Sequence, residues 1–159
     1  MYTSIKIYEA GPAPASIVVN ELTPPLNYPV EVFNWTDPTR GDPIPKMQAA
    51  GRHDRYSDID SMLINMQGHI MGDTTTEYWT MRKALLAIVI PKPGHLFRYH
   101  GTIEIQLDGD AETYWCNVTL EDRDTPTEAL YPTVTPFQFQ WTNEFGYWRK
   151  LSNNAVAYI

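Results

Sequence analysis

A single cysteine, Cys116, stands among the 159 residues, so no disulfide can form within the chain and a cysteine-built zinc site is not expected. No apolar run approaches the roughly 20 residues that carry a helix across a bilayer. The opening residues Met1-Tyr2-Thr3-Ser4-Ile5-Lys6 offer no basic stretch followed by an apolar core, and no secretory leader is expected. Basic residues are also scarce. Twelve Lys+Arg stand against 19 Asp+Glu, a net charge of −7. That argues against a nucleic-acid reader, whose affinity comes from clustered cations facing phosphates. What the chain does have is aromatic and proline content: 5 Trp, 10 Tyr, 5 Phe and 13 Pro. This pairing points to a β-rich protein with stiffened connections, and the length suits one domain over 1–159.

The prolines are crowded. Eight of the 13 fall between Pro12 and Pro45, and none lies between Lys46 and Ile90. Residues 1–55 therefore read as short extended pieces, because proline removes a backbone donor and blocks a helix. Residues 2–8 alternate, with Ile5 and Ile7 on one face and Ser4 and Lys6 on the other. Residues 16–20 and 28–35 are further strand candidates, rich in Val, Phe and Trp. A loop of about twenty residues is expected at 36–55, and loops of that length are commonly functional.

Residues 56–150 read as the core. A strand is expected at 56–67, punctuated by Gly68 and Gly72. The spacing then predicts one helix at about 74–89. Thr74 and Glu77 form a capping-box pattern, and Tyr78, Met81, Leu85 and Val89 recur at helical spacing. Trp79, Leu86 and Ile90 widen this apolar side, while Arg82 and Lys83 interrupt it. Pro91, Pro93 and Gly94 end the helix. A Trp/Tyr/Met/Leu stripe of this kind is core packing against a sheet.

Residues 96–107 and 113–120 follow as alternating strands joined through Asp108-Gly109, the dipeptide suited to a tight hairpin. Residues 121–127 read as a charged loop, and 134–148 as a last strand. Parity places Ile103, Ile105, Tyr114, Cys116, Val118, Leu120, Phe137 and Phe139 in the core beside Tyr78 and Leu85. The expected class is mostly β, a β-sandwich or split barrel with one flanking helix.

Candidate chemistry is thin. His53, His69, His95 and His100 include no pair at the i, i+4 helical spacing of a metal site, and His95 and His100 have opposite strand parities. Asp108-Gly109-Asp110 lacks the further acidic positions and the closing Glu of a calcium loop. Glu121, Asp122 and Asp124 could in principle do acid/base work, but they sit beside Arg123 in a run that reads as a solvated turn. Cys116 lies on the apolar parity of its strand, where a thiol behaves as a small hydrophobe. Arg40-Gly41-Asp42 is a three-residue adhesion-like match with a high chance rate. No nucleophile elbow or phosphate-cradling glycine loop is present. No catalytic, cofactor-binding or metal-ligating residue is nominated, no cofactor is called for, and a non-enzymatic protein working through its surface is expected.

Ile64-Asn65-Met66-Gln67-Gly68-His69-Ile70-Met71-Gly72 closes a strand, and the capped helix follows it. The hairpin then returns through Cys116-Asn117-Val118-Thr119-Leu120-Glu121-Asp122. Phe137-Gln138-Phe139-Gln140-Trp141-Thr142-Asn143 leads to Phe145-Gly146-Tyr147-Trp148. This arrangement resembles the N-terminal domain of the distal tail proteins of long-tailed, non-contractile bacteriophages. That family's strand closes on G-x-I-x-G and its hairpin carries v-x-L-x-D. The resemblance departs where the family has Asp-Pro and this chain has Phe145-Gly146. It also lacks the carbohydrate-binding-like accessory domain of many members, which suggests a short, ring-forming version.

The resemblance implies a structural virion component at the baseplate or tail tip. Six copies would form a ring joining the tail tube to the hub, with tape-measure protein and then DNA passing through the lumen. Assembly in the host cytoplasm, no membrane partner and no sequence-specific nucleic-acid contact go with it. The N-terminal third and the 36–55 loop become candidate inter-subunit arms, and strands 56–67 and 134–148 candidate exposed edges. A tail-tube ring protein of the same fold is one rival. A monomeric carbohydrate-binding β-sandwich using Trp35, Trp115 and Trp148 is another, and a small enzyme built on residues 121–124 is a third.

Overall fold

The computed structural model describes residues 2–11, 14–20, 27–36, 44–45, 52–53, 61–92, 100–126, 133–157 and 159. In chain order the elements are β1 (Tyr2–Glu9), β2 (Ser16–Val19), β3 (Val30–Trp35), β4 (Ile44–Pro45), β5 (Arg52–His53) and β6 (Met62–Met71). Helix α1 (Thr75–Val89) follows, then β7 (Gly101–Leu107), β8 (Thr113–Asp124), β9 (Val134–Asn143), β10 (Trp148–Lys150) and β11 (Val156–Ala157). Nine strands form one antiparallel sheet, ordered β2-β1-β7-β8-β9-β6-β3, with the β10–β11 hairpin on the edge of β8. β4 and β5 pair separately. The mostly-β class with one flanking helix is thus observed, as a single continuous sheet that is not closed into a barrel.

Alternation builds the core. Ile5 and Ile7 face inward beside Ile105 and Ile103 across the β1–β7 register, and Cys116 and Tyr114 continue these rows on β8. Met62, Ile64, Met66 and Ile70 on β6 do the same opposite Phe137, Phe139 and Trp141 on β9. Both halves of the sheet feed one hydrophobic cluster. The helix packs against β1 and β2 near one end of the strand order and against β6 near the other, so it fills the mouth of the curled sheet. A bond from Asn20 N–H to the Tyr28 carbonyl (2.8 Å) ties the end of β2 to the segment entering β3.

The helix starts as its sequence dictates. Glu77 N–H donates to Thr74 Oγ1 (3.2 Å), while the Glu77 carboxylate accepts from Asp73 N–H (3.0 Å), one residue before the cap. Before Pro91 the chain turns extended at Ile90, as the residue preceding proline must. The buried face is Tyr78, Arg82, Leu85 and Val89, which corrects the expectation twice. Trp79 is exposed rather than widening the apolar side, and Arg82 is buried rather than interrupting it. The Arg82 stem lies along the core face, and its guanidinium donates to the carbonyls of Thr125 (2.8 Å) and Pro126 (3.0 Å). The helix thereby clamps the chain leaving β8.

Other boundaries moved. β6 runs through Gly68 to Met71, because a side chain at position 68 would strike the Pro29 carbonyl and only glycine lets the two backbones pass. β8 continues to Asp124, so residues 121–124 are strand and not loop; a register shift between Leu120 and Asp122 marks a bulge. Leu120, next to it, is only partly buried, whereas the other nine expected core residues are buried. The last strand ends at Asn143, and residues 148–150 form β10. β7 ends at Leu107 and β8 starts at Thr113, so Asp108-Gly109 belongs to a five-residue connection (108–112) and not a two-residue hairpin. Only Gly109 in it has positive φ, +79°.

The N-terminal third is no free arm where it is described. β1, β2 and β3 are sheet strands, and Ile5, Ile7, Val19 and Phe33 are core. Residues 37–43, 46–51 and 54–60, which include Arg40-Gly41-Asp42, lie outside the described residues. Replacing Leu85, which is fully buried, by Ala should cost about 2–5 kcal/mol. Leu85→Asp should abolish the cooperative melt followed by circular dichroism, because it strands a charge among apolar side chains.

Candidate interaction surfaces

The residues with chemical potential are dispersed. His69 pairs with Glu31 (3.2 Å) on the outer face of β6 and β3. His100 accepts the Leu120 N–H at Nδ1 (3.0 Å), its ring standing in for a ladder partner. His95 lies outside the described residues, as does the side chain of His53. Among the described residues no group of three or more His, Cys, Asp or Glu could hold a metal. Glu121, Asp122, Arg123 and Asp124 are all exposed. Cys116 is buried beside Asn143, and burial pushes its thiol far above the ordinary range, which disfavours the reactive thiolate.

Asp110 has a local task. Its carboxylate accepts from the Tyr114 hydroxyl (2.6 Å) and the Glu112 N–H (2.9 Å), which holds its pKa below the usual value and raises that of Tyr114. Glu112 is lowered chiefly by Ser152, whose hydroxyl donates at 2.5 Å, and Glu9 by Lys92, 2.6 Å away. These carboxylates tie the β7–β8 connection, the chain after β10, and the end of β1 to their neighbours.

Two outward sheet faces remain. On β3, β6 and β9 an amide ladder runs across the strands: Asn65 Nδ2 donates to Asn34 Oδ1 (3.2 Å), and Gln140 Nε2 to Asn65 Oδ1 (2.9 Å). Val32 and Leu63 are exposed beside it. On β1, β7 and β8 the outward row is Lys6, Glu104 and Trp115 across the registers, with the Tyr8 hydroxyl donating to Glu104 (2.9 Å). The strands expected to offer free edges, β6 and β9, lie inside the sheet; its ends among the described residues are β2 and β3.

Of the three tryptophans considered as stacking platforms, Trp148 is buried in the core. Trp35 packs edge-on against Trp148 and donates to the Ile159 carbonyl (3.0 Å). Only Trp115 lies on an outward face. At the β9–β10 corner, buried Asn143 donates to the Tyr147 carbonyl (2.9 Å) and accepts from Phe145 N–H (2.8 Å). Gly146 there has φ +65°, a conformation closed to the proline found at this point in the family pattern.

A curled, open antiparallel sheet with a helix across its mouth defines the fold class. No known family profile matches the chain, and no curated protein matches it in sequence. Among solved structures, a chain in the structure of the phage p2 baseplate in its activated conformation with Sr has a similar fold, with TM-score 0.56 and 12% identity. The match covers 87% of this chain and 43% of that one, so this chain spans less than half the length of its structural neighbour. At that identity the likeness is one of fold.

Because the lowered carboxyls of Asp110, Glu112 and Glu9 bind fewer protons in the folded than in the unfolded state, their stabilisation is present above the ordinary carboxylate range. It is lost as pH falls through their lower folded values. The melting temperature should therefore drop on acidification below about pH 4. Asp110→Asn combined with Glu112→Gln should flatten that acid limb in a calorimetric pH series.

Proposed function

We propose that this chain is a structural, non-catalytic component of a phage tail: a ring-forming subunit of the distal tail, where tube meets baseplate hub. The fold shared with a phage p2 baseplate chain carries this reading. The order of strand, capped helix, strand pair and final aromatic strand supports it as well. In this reading the partners are further copies of the chain, most simply six, together with tube and hub proteins, with tape-measure protein in the lumen. The chain is assembled in the host cytoplasm and resides in the virion tail.

The molecule is suited to such assembly. β2 and β3 end the strand order, and a sheet end presents backbone groups to a neighbour. Val32 and Leu63 put exposed apolar surface beside the β3 end, and a head-to-tail contact between unlike edges closes into a ring when its rotation allows. The baseplate likeness favours the distal end of the tail over a tube ring. The burial of Trp148 and the engagement of Trp35 weaken the reading as a monomeric carbohydrate module stacking on three tryptophans.

Mass photometry and negative-stain microscopy of the purified protein should show a closed ring, with six copies expected. A clean monomer at high concentration would refute the ring reading. Leu63→Glu, on the exposed face, should dissociate the ring while changing the unfolding free energy of the subunit by no more than about 0.5 kcal/mol.

A further inference from the structure

One edge of β8 changes partner along its length and leaves a gap. Trp115 is paired with Arg149 of β10 and Thr119 with Thr142 of β9, but among the described residues Asn117 between them has no cross-strand partner on that side. Strand alternation decides where its peptide points. The Val118 carbonyl accepts from His100 N–H (2.9 Å) on the β7 side, and the Thr113 carbonyl from Leu151 N–H (2.8 Å) on the β10 side. Asn117 shares the parity of Thr113, so its N–H and C=O both face the gap between β9 and β10.

That gap is a cleft of about 310 Å³ lined by Trp115, Asn117, Phe145, Tyr147, Arg149 and Asn154. Phe145 is exposed, and Trp115 and Tyr147 are half-buried. The Asn117 side-chain oxygen accepts from Thr102 Oγ1 (3.1 Å), which orients the amide and leaves its NH2 group as a donor. Arg149 is already committed: its guanidinium donates to the Tyr147 hydroxyl (2.9 Å) and the Asn154 carbonyl (3.2 Å) and lies over the Tyr147 ring at 5.1 Å. Among the described residues no carboxylate lines the cleft. Aromatic faces therefore sit beside neutral hydrogen-bonding groups, with the one cation engaged internally.

We propose that this cleft is a binding site for a neutral saccharide no larger than a disaccharide. A sugar ring offers an apolar C–H face for Trp115 and Phe145, and its adjacent hydroxyls can both donate and accept, matching the paired N–H and C=O of Asn117. An anion fits poorly, because Arg149 is tied down. A peptide strand fits poorly too. Strand addition needs a run of open backbone groups, and here one residue is open between two occupied ladders. The volume lies at the small end of the roughly 300–1,000 Å³ typical of ligand sites. This assignment rests on the cleft and not on the ring reading, so either can fail alone.

Saturation-transfer NMR on the full chain tests it, with glucose, galactose, N-acetylglucosamine and maltose as probes and sulfate as the anionic comparison. The expected result is saturable binding of at least one sugar in the millimolar range. Binding should weaken about tenfold in Phe145→Ala and in Trp115→Leu, and stay unchanged in Trp79→Ala, whose indole is exposed on the helix. Phe145 is exposed, so its variant keeps the fold, which circular dichroism verifies. Three outcomes would overturn the proposal: no saturable signal from any sugar, wild-type affinity in both cleft variants, or displacement of the bound sugar by millimolar sulfate, which would mark an anion site.

Discussion

The architecture depends on one strand having to serve two halves of a sheet. β8 is 12 residues long, and over its first half it pairs with β7 and with β10. From Thr119 onward, on both sides of the register shift at residues 120–122, it pairs with β9. An extra residue at this point bends the strand and increases its twist, so the β7-β1-β2 half and the β9-β6-β3 half turn toward a common core. Without it, every side chain beyond Leu120 would change face, and the outward Asp122 and Asp124 would exchange places with their neighbours.

Much else follows from that bend. The curled sheet leaves a mouth between its ends, and a helix with one apolar face is the element that fills it. Clamping the chain that leaves β8 then requires a donor long enough to reach out from the helix, which Arg82 supplies through the Thr125 and Pro126 carbonyls. Among the described residues, two further buried polar side chains act similarly. Thr135 bonds the Tyr78 hydroxyl at 2.5 Å, joining β9 to the helix, and Asn143 closes the β9–β10 corner from within. Each is satisfied, so burial that would otherwise cost stability instead fixes one arrangement. The cleft beside Asn117 has the same origin, since it is the space left where β8 passes from one partner to the next.

Among the described residues, several chemically capable groups bond structural neighbours: Asp110 to Tyr114, Glu112 to Ser152, His100 to a strand amide. What remains outward is an amide ladder, exposed Val32 and Leu63 and an aromatic cleft, surfaces suited to recognition. Candidate site residues were therefore hard to read from sequence. Trp115 carries no signal that separates it from Trp148, although one faces outward and the other is sealed in the core. Phe145 and Tyr147 become neighbours of Asn117 only because β8 and the β9–β10 corner meet.

The chain's own periodicities determined the helix from its Thr74 cap to Pro91, and the inward rows Ile103-Ile105, Tyr114-Cys116-Val118 and Phe137-Phe139. Both are local matters: a cap satisfies neighbouring N–H groups, and strand alternation points each side chain relative to its own backbone. Tertiary structure decided the extent of β8, the burial of Arg82, the incorporation of β1 to β3 into the sheet and the place of the cleft. Those outcomes turn on which distant backbone supplies the next hydrogen-bond partner, and no spacing within a single segment encodes that partner.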